Sequence, residues 1–193
     1  MKTRNKKGGK KLVVGFVGNI CSGKGVATTY LAKKYSADTI LFSQSMRDCL
    51  ARIYQPATRE NMQKISLLLR QNFGQDIFSK TVFADVQSSK KKIVAVDGIR
   101  RLDDINALSK LPHFILINLT ATPEMRFARL KKRKQNPGDA KVTWAQFQIQ
   151  DSAETEQTIA AVAQKANYVI DNSGSLKEFQ KQIDTIVTKA QKK

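Results

Sequence analysis

The residues best equipped for chemistry stand near the start of the chain. Gly18-Asn19-Ile20-Cys21-Ser22-Gly23-Lys24 fits the pattern G-x-x-x-x-G-K. Glycines let a backbone curl so that successive N–H groups point inward at phosphate oxygens. A helix starting at the end of such a loop adds partial positive charge. A lysine there delivers a full charge to the terminal phosphates of a nucleotide. The loop requires a strand before it and a helix behind it, and both are legible. Leu12 to Val17 is a continuous apolar run, and Ala27, Leu31 and Ala32 recur at helical spacing between Lys24 and Tyr35. Gly18, Asn19, Ile20, Cys21, Ser22, Gly23, Lys24, Gly25 and Val26 are therefore expected to cradle nucleotide phosphates. Gly25 and Val26 follow the lysine where many nucleotide-binding loops carry a Mg²⁺-binding hydroxyl, and none appears before Thr28 and Thr29. Mg²⁺ is expected to be held mostly through water and one carboxylate.

Asp97 is the candidate for that carboxylate. It ends the apolar run Ile93-Val94-Ala95-Val96. A carboxylate there can hold Mg²⁺ or activate an acceptor hydroxyl; capping the next helix is the competing role. Arg126, Arg129 and Arg133 recur at spacings of three and four, which puts them on one helix face. Guanidinium groups suit phosphate oxygens and stack on bases, although a solvated face has the same spacing. Arg47, Arg100 and Arg101 each follow shortly after a strand end. Phosphoryl transfer needs alignment and positive charge rather than covalent chemistry from the protein. A phosphate loop, a carboxylate and several arginines suffice. The single histidine, His113, argues against a histidine-based triad or metal cluster. Cys49 fits the apolar face of its helix with Met46, Leu50 and Ile53, and Trp144 reads as a packing residue.

The elements that must position these groups alternate along the chain. Short apolar strands are expected near residues 12–17, 39–43, 93–98, 114–119 and 168–171. Between them lie helices near 24–35, 45–54, 58–73, 76–87, 102–111, 124–134, 143–151 and 154–165, and a last helix begins after Ser175. Strands with continuous apolar runs are buried on both faces, as in a parallel sheet covered by helices on each side. The expected fold is thus a three-layer α/β P-loop fold with a five-stranded parallel sheet, to which the family resemblance described below adds a helical lid. Ligands in such sheets bind at the C-terminal strand ends. A length of 193 residues suits one domain, expected over 12–193 behind a basic disordered arm at 1–11. No apolar stretch reaches the roughly 20 residues that span a bilayer, and two cysteines make no disulfide framework, so the expected setting is cytoplasmic. The net charge of +18 favours polyanionic partners. A phosphate-handling enzyme, weak nucleic-acid contact through the arm, and plain solvated tails all accommodate it.

The loop GNICSGKG resembles that of the nucleoside monophosphate kinases, in which adenylate kinases also place Gly after the lysine. Asp97-Gly98-Ile99-Arg100-Arg101 looks like the Asp-Gly-x-x-Arg segment of that family, which touches Mg²⁺ and the acceptor phosphate. Arg129-Leu130-Lys131-Lys132-Arg133 resembles the R-x-x-x-R of the kinase lid. The resemblance implies that Arg129 lies against adenine and that Arg133 reaches the phosphates. Ser43 and Arg47 fall where the acceptor-binding helix begins. The segment from Ala166 to Leu176 is similar to the end of dephospho-CoA kinases, which implies that Asn172, Ser173 and Gly174 border the adenine. The likeness covers about residues 12–187. It implies helices near 44–90 around the acceptor and a lid near 124–153. It also implies Lys24, Asp97, Arg129 and Arg133 as the catalytic set, with Ser43, Arg47, Arg100 and Arg101 on the acceptor. The expected activity is transfer of the γ-phosphoryl of ATP, with Mg²⁺, to a nucleoside or deoxynucleoside monophosphate. Dephospho-CoA is the alternative acceptor. A nucleotide-binding, RNA-associated regulatory protein with weak ATPase activity is the alternative of another class.

Overall fold

The computed structural model describes residues 11–133, 139–152 and 154–192. The expected arm, except Lys11, and residues 134–138 and 153 of the expected lid lie outside these. Five parallel strands form one sheet: β1 Leu12–Val17, β2 Asp38–Leu41, β3 Ile93–Asp97, β4 Phe114–Thr120 and β5 Tyr168–Asp171, in the order β2-β3-β1-β4-β5. The expected α/β P-loop fold is thus the observed one. The helices are α1 Lys24–Tyr35, α2 Phe42–Arg52, α3 Arg59–Phe73, α4 Ile77–Ser88, α5 Leu102–Ile105, α6 Pro123–Lys132, α7 Trp144–Asp151, α8 Glu154–Ala163 and α9 Leu176–Gln191. Among the described residues no helix is long and apolar enough to cross a membrane.

The alternation of strand side chains divides the core in two. Leu12, Val14 and Phe16 of β1 join Leu31 of α1 and Phe179, Ile183 and Val187 of α9 on one face of the sheet. Val13 and Val17 join Phe42, Phe78, Val82, Leu108 and Val162 on the other. Burying both faces explains why the strands read as unbroken apolar runs. Helix ends follow local chemistry. Thr58, Thr122, Thr143 and Ser175 each accept a backbone N–H of the first turn through the side-chain oxygen. Ser175 and Glu178 complete a reciprocal capping box at α9. Lys11, at the edge of the expected arm, donates to the carbonyls of Val86, Gln87 and Ser89 at 2.6, 3.2 and 2.6 Å. A cation there satisfies the orphan acceptors at the C-terminus of α4.

Three elements differ from expectation. The strand expected to reach Ser43 ends at Leu41, and α2 begins at Phe42, so Ser43 lies in a first helical turn. Cys49 is exposed rather than core. The inward face of α2 follows Phe42, Met46 and Leu50 at i, i+4, i+8 spacing, which turns Cys49 and Ile53 outward. The helix expected over 102–111 is only α5, followed by a tighter 3-10 turn at Leu108–Lys110. The Ala107 N–H is diverted from the helix to the buried Ser79 hydroxyl at 2.9 Å.

Candidate phosphate-transfer site

The loop between β1 and α1 sits at the C-terminal edge of the central strand. Its shape depends on two glycines in the left-handed region, Gly18 at φ 148° and Gly23 at φ 112°. A Cβ on Gly18 would lie 2.3 Å from the Leu119 carbonyl oxygen, and one on Gly23 2.2 Å from the Asn172 amide nitrogen. No side chain fits at either place, so β4 and the turn after β5 press directly on the loop's backbone. Gly23 also precedes the first residue of α1, whose N-terminus has no side-chain cap. Its early N–H groups are therefore oriented for an anion. The Lys24 ammonium folds back and donates to the carbonyls of Gly18 and Asn19 at 2.5 and 3.0 Å. Val26 is exposed, and the nearby Thr28 hydroxyl is spent on the Gly25 carbonyl at 3.1 Å.

The turn after β5 joins this loop directly. The Asn172 side-chain amide donates to the Ser22 carbonyl at 2.8 Å in a buried contact. The Asn172 carbonyl accepts from Arg129 Nη2 at 2.6 Å. Asn172 thus connects α6 to the phosphate loop, a role the sequence pattern does not reveal because the Ser22 contact spans 150 residues. The neighbouring Ser173 backbone N–H donates to Asp171 at 2.9 Å, and Gly174 packs beside the Glu178 carboxylate. Two buried polar atoms here, Arg129 Nη1 and Ser22 Oγ, have no hydrogen-bond partner among the described residues.

The three arginines expected on one face of α6 have different surroundings. Arg126 is buried in a two-pronged pair with Asp151 of α7, and Arg126 Nε donates to the Ala121 carbonyl at 3.2 Å. It fixes α7 against α6, and so is not part of a solvated face. Phe127, Trp144 and Phe147 stack between the same helices with ring centroids 5.2–5.5 Å apart. Arg129 turns to the Asn172 turn, and Arg133 donates through Nε to Asp139 at 2.7 Å. Burial pushes the Cys21 thiol above its ordinary pKa; the charge of Arg133 opposes this and that of Asp139 reinforces it. The loop tip and the Arg133–Asp139 pair therefore share one electrostatic environment.

The second group lies at the end of β3. Val96 pairs with Gly15 of β1, and Leu41 of β2 pairs with Asp97. Asp97 is half-buried one residue beyond that first pair, at the same sheet edge as the phosphate loop. Its Oδ1 accepts the Gly98 N–H at 2.7 Å. Gly98, at φ 92°, lets the chain turn against Phe42, where α2 begins. That contact brings the segment Asp97–Arg101 beside the helix turn that carries Ser43. Ser43 is half-buried, whereas Arg47, Arg100 and Arg101 are exposed. The competing helix-cap role for Asp97 is not the observed one, since α5 begins only at Leu102 and Asp104 closes the turn before it.

No family model matches the chain. It is 28% identical over 182 residues to a UPF0200 protein of Hyperthermus butylicus, covering 94% of this chain and 96% of that one. A UPF0200 protein of Thermococcus gammatolerans is 33% identical over 137 residues, covering 68% and 71%. One from Thermococcus onnurineus is 30% identical over 162 residues, covering 81% and 86%. The chain belongs to the UPF0200 family. Among solved structures, the fold of this UPF0200 chain is similar to the shikimate kinase of Bacteroides thetaiotaomicron at TM-score 0.59 and 15% identity, covering 92% and 97%. It is also similar to a gluconokinase of Sinorhizobium meliloti 1021 at TM-score 0.55 and 11% identity, covering 95% of each. The kinase resemblance read from the sequence therefore holds at the level of a P-loop kinase-like fold.

Proposed function

We propose that the protein is an ATP-dependent phosphotransferase that moves the γ-phosphoryl group of ATP, with Mg²⁺, to a nucleoside or deoxynucleoside monophosphate. The observation that carries this reading is the Lys24 ammonium, folded onto the Gly18 and Asn19 carbonyls inside a glycine-shaped loop. Those carbonyls hold the cation at the mouth of an anion cradle, ready to exchange them for phosphate oxygens. The partnerless Arg129 Nη1 and Ser22 Oγ are donors that a bound nucleotide can satisfy. In this reading Gly18 to Val26 cradle the phosphates, and Arg129 with Asn172, Ser173 and Gly174 border the adenine. Arg133 leaves Asp139 for the phosphates when residues 124–153 act as a lid. Helices within 44–90 surround the acceptor, whose phosphate meets Arg47, Arg100, Arg101 and Ser43.

The residues also suit Mg²⁺. No group of three His, Cys, Asp or Glu side chains is gathered for a metal among the described residues. Mg²⁺ does not require one, because it keeps several waters and takes one or two carboxylates together with substrate phosphates. Asp97 would hold it, with Oδ2 available beside the Oδ1 that the Gly98 N–H occupies. When bound, the ion offsets charge on the transferred group. The likeness of the last turn to dephospho-CoA kinases favours one second acceptor, the ribose hydroxyl of dephospho-CoA, for which Asp97 would be the base.

The test is acceptor-dependent ADP release measured across the nucleoside and deoxynucleoside monophosphates and dephospho-CoA. We expect turnover with at least one monophosphate. We expect Lys24→Ala to lower it by roughly 100-fold or more, as for loss of a charge aimed at the transition state. Turnover undiminished in Lys24→Ala would remove the loop from the reaction.

A further inference from the structure

We infer that Asp104, together with Arg70, is the positioning pair that sets the acceptor arginines, although neither lies in the phosphate loop or on the lid. The inference rests on the phosphotransferase reading above and concerns its acceptor side.

Asp104 is 2% exposed and Arg70 is 8% exposed. A carboxylate so deeply buried needs compensation for its lost hydration. It has three donors. Oδ2 accepts the backbone N–H groups of Arg100 and Arg101 at 2.9 and 3.0 Å, and Oδ1 accepts Arg70 Nη2 at 2.7 Å. The two amides belong to the residues whose side chains are proposed to meet the acceptor phosphate. One carboxylate oxygen therefore fixes the peptide planes from which both guanidinium groups project.

The other end of the pair reaches the acceptor helices. Arg70 is the one buried residue of α3. Its Nη1 donates to the Gln75 carbonyl in the connection to α4, and its guanidinium lies 4.9 Å from the centre of the Phe78 ring in α4. Arg70 thus joins α3, the α3–α4 connection and α4 at one charged group. Its remaining donor, Nε, is buried without a partner among the described residues. The pair forms a link between helices α3 and α4 and the turn that carries Arg100 and Arg101. A tie serving stability alone would act on substrates without distinction. This one joins two segments on the acceptor side and makes no contact with the phosphate loop among the hydrogen bonds described.

The experiment uses the full chain with ATP and the panel of nucleoside monophosphates, deoxynucleoside monophosphates and dephospho-CoA. Asp104→Asn keeps the shape and removes the charge. We expect it to raise the KM of the productive acceptor between about 10- and 100-fold, the scale of a small misplacement remote from the chemistry. The KM of ATP is expected to stay within about twofold. Asp104→Glu, which restores the charge, is expected to recover part of the loss. Arg70→Lys keeps a cation without the planar fork and is the second variant if Asp104→Asn does not fold; it is expected to show the same one-sided change in KM. An unchanged acceptor KM, or equal rises in both KM values, would overturn the positioning role while wild-type turnover stands. Wild-type protein with no turnover on any acceptor would instead overturn the phosphotransferase reading, and this role with it.

Discussion

Cys21 is the one residue other than glycine in the phosphate loop with a left-handed backbone, at φ 61°. It is half-buried and faces Arg133, Asp139 and Lys24. Burial favours the neutral thiol and raises its pKa, and Arg133 offsets this only in part. Because the thiolate is the reactive form, Cys21 should alkylate slowly at neutral pH and accelerate only as the solution becomes more basic. The exposed Cys49 supplies a comparison within the same molecule. With limiting iodoacetamide at pH 7.5, peptide mass spectrometry should find Cys49 labelled first. Mg-ATP should slow Cys21 further and leave Cys49 unaffected. Equal rates at the two positions, or nucleotide protection of both, would contradict the burial and the loop assignment respectively.

At the scale of elements, one carboxylate adds a polar tie to the apolar packing of α9 on α1. Asp184 accepts from Tyr30 at 2.9 Å, Tyr35 at 2.7 Å and Lys34 at 2.6 Å. Burial acts to raise its pKa, but the hydrogen bonds from Lys34, Tyr35 and Tyr30 outweigh that and hold it below its ordinary value. Since the folded value is depressed, the stabilisation is present above the unfolded carboxylate pKa, about 3.9, and is lost as pH falls through the folded value. Asp184→Asn should therefore lower Tm by roughly 3–6 °C near pH 7, from about 1–2 kcal/mol in a chain of this size. The gap should close in thermal melts as pH drops below about 4; a gap constant with pH would assign the loss to packing. The elements were legible where a local rule decides them. Thr58, Thr143 and Ser175 mark helix starts, and apolar runs mark strands. The break after α5 was not legible, because it depends on the distant Ser79 hydroxyl accepting the Ala107 amide that a regular helix would have kept. The Arg70–Asp104 pair, 34 residues apart, has no sequence signature either. The phosphate loop could be read residue by residue because its geometry is local, whereas its support by Asn172 comes from the far end of the chain.

At the scale of the whole molecule, a net charge of +18 has to be reconciled with a P-loop kinase-like fold. Some of the cations do structural work inside the described residues. Arg70 and Arg126 are buried in ion pairs, Lys11 caps α4, and Lys34 ties α1 to α9. Such cations are committed to the fold and are poorly placed to hold a polyanion. Residues 1–10 carry five further cations, Lys2, Arg4, Lys6, Lys7 and Lys10, before the domain's first described residue. If phosphoryl transfer is the function and nucleic-acid contact an accessory, the two should separate at Lys11. Deleting residues 1–10 should leave kcat and both KM values within about twofold, while any retention on RNA weakens and becomes less dependent on salt, because fewer counterions are released. Extending the deletion through Lys11 should add a loss of about 1 kcal/mol in denaturant unfolding, since the Val86 and Gln87 carbonyls of the last turn of α4 and that of Ser89 just beyond it lose this donor. If RNA retention survived the shorter deletion unchanged and no acceptor supported ADP release, the balance would move to the RNA-associated regulatory reading. The buried arginines would still be required for folding, because their ion pairs belong to the fold in either case.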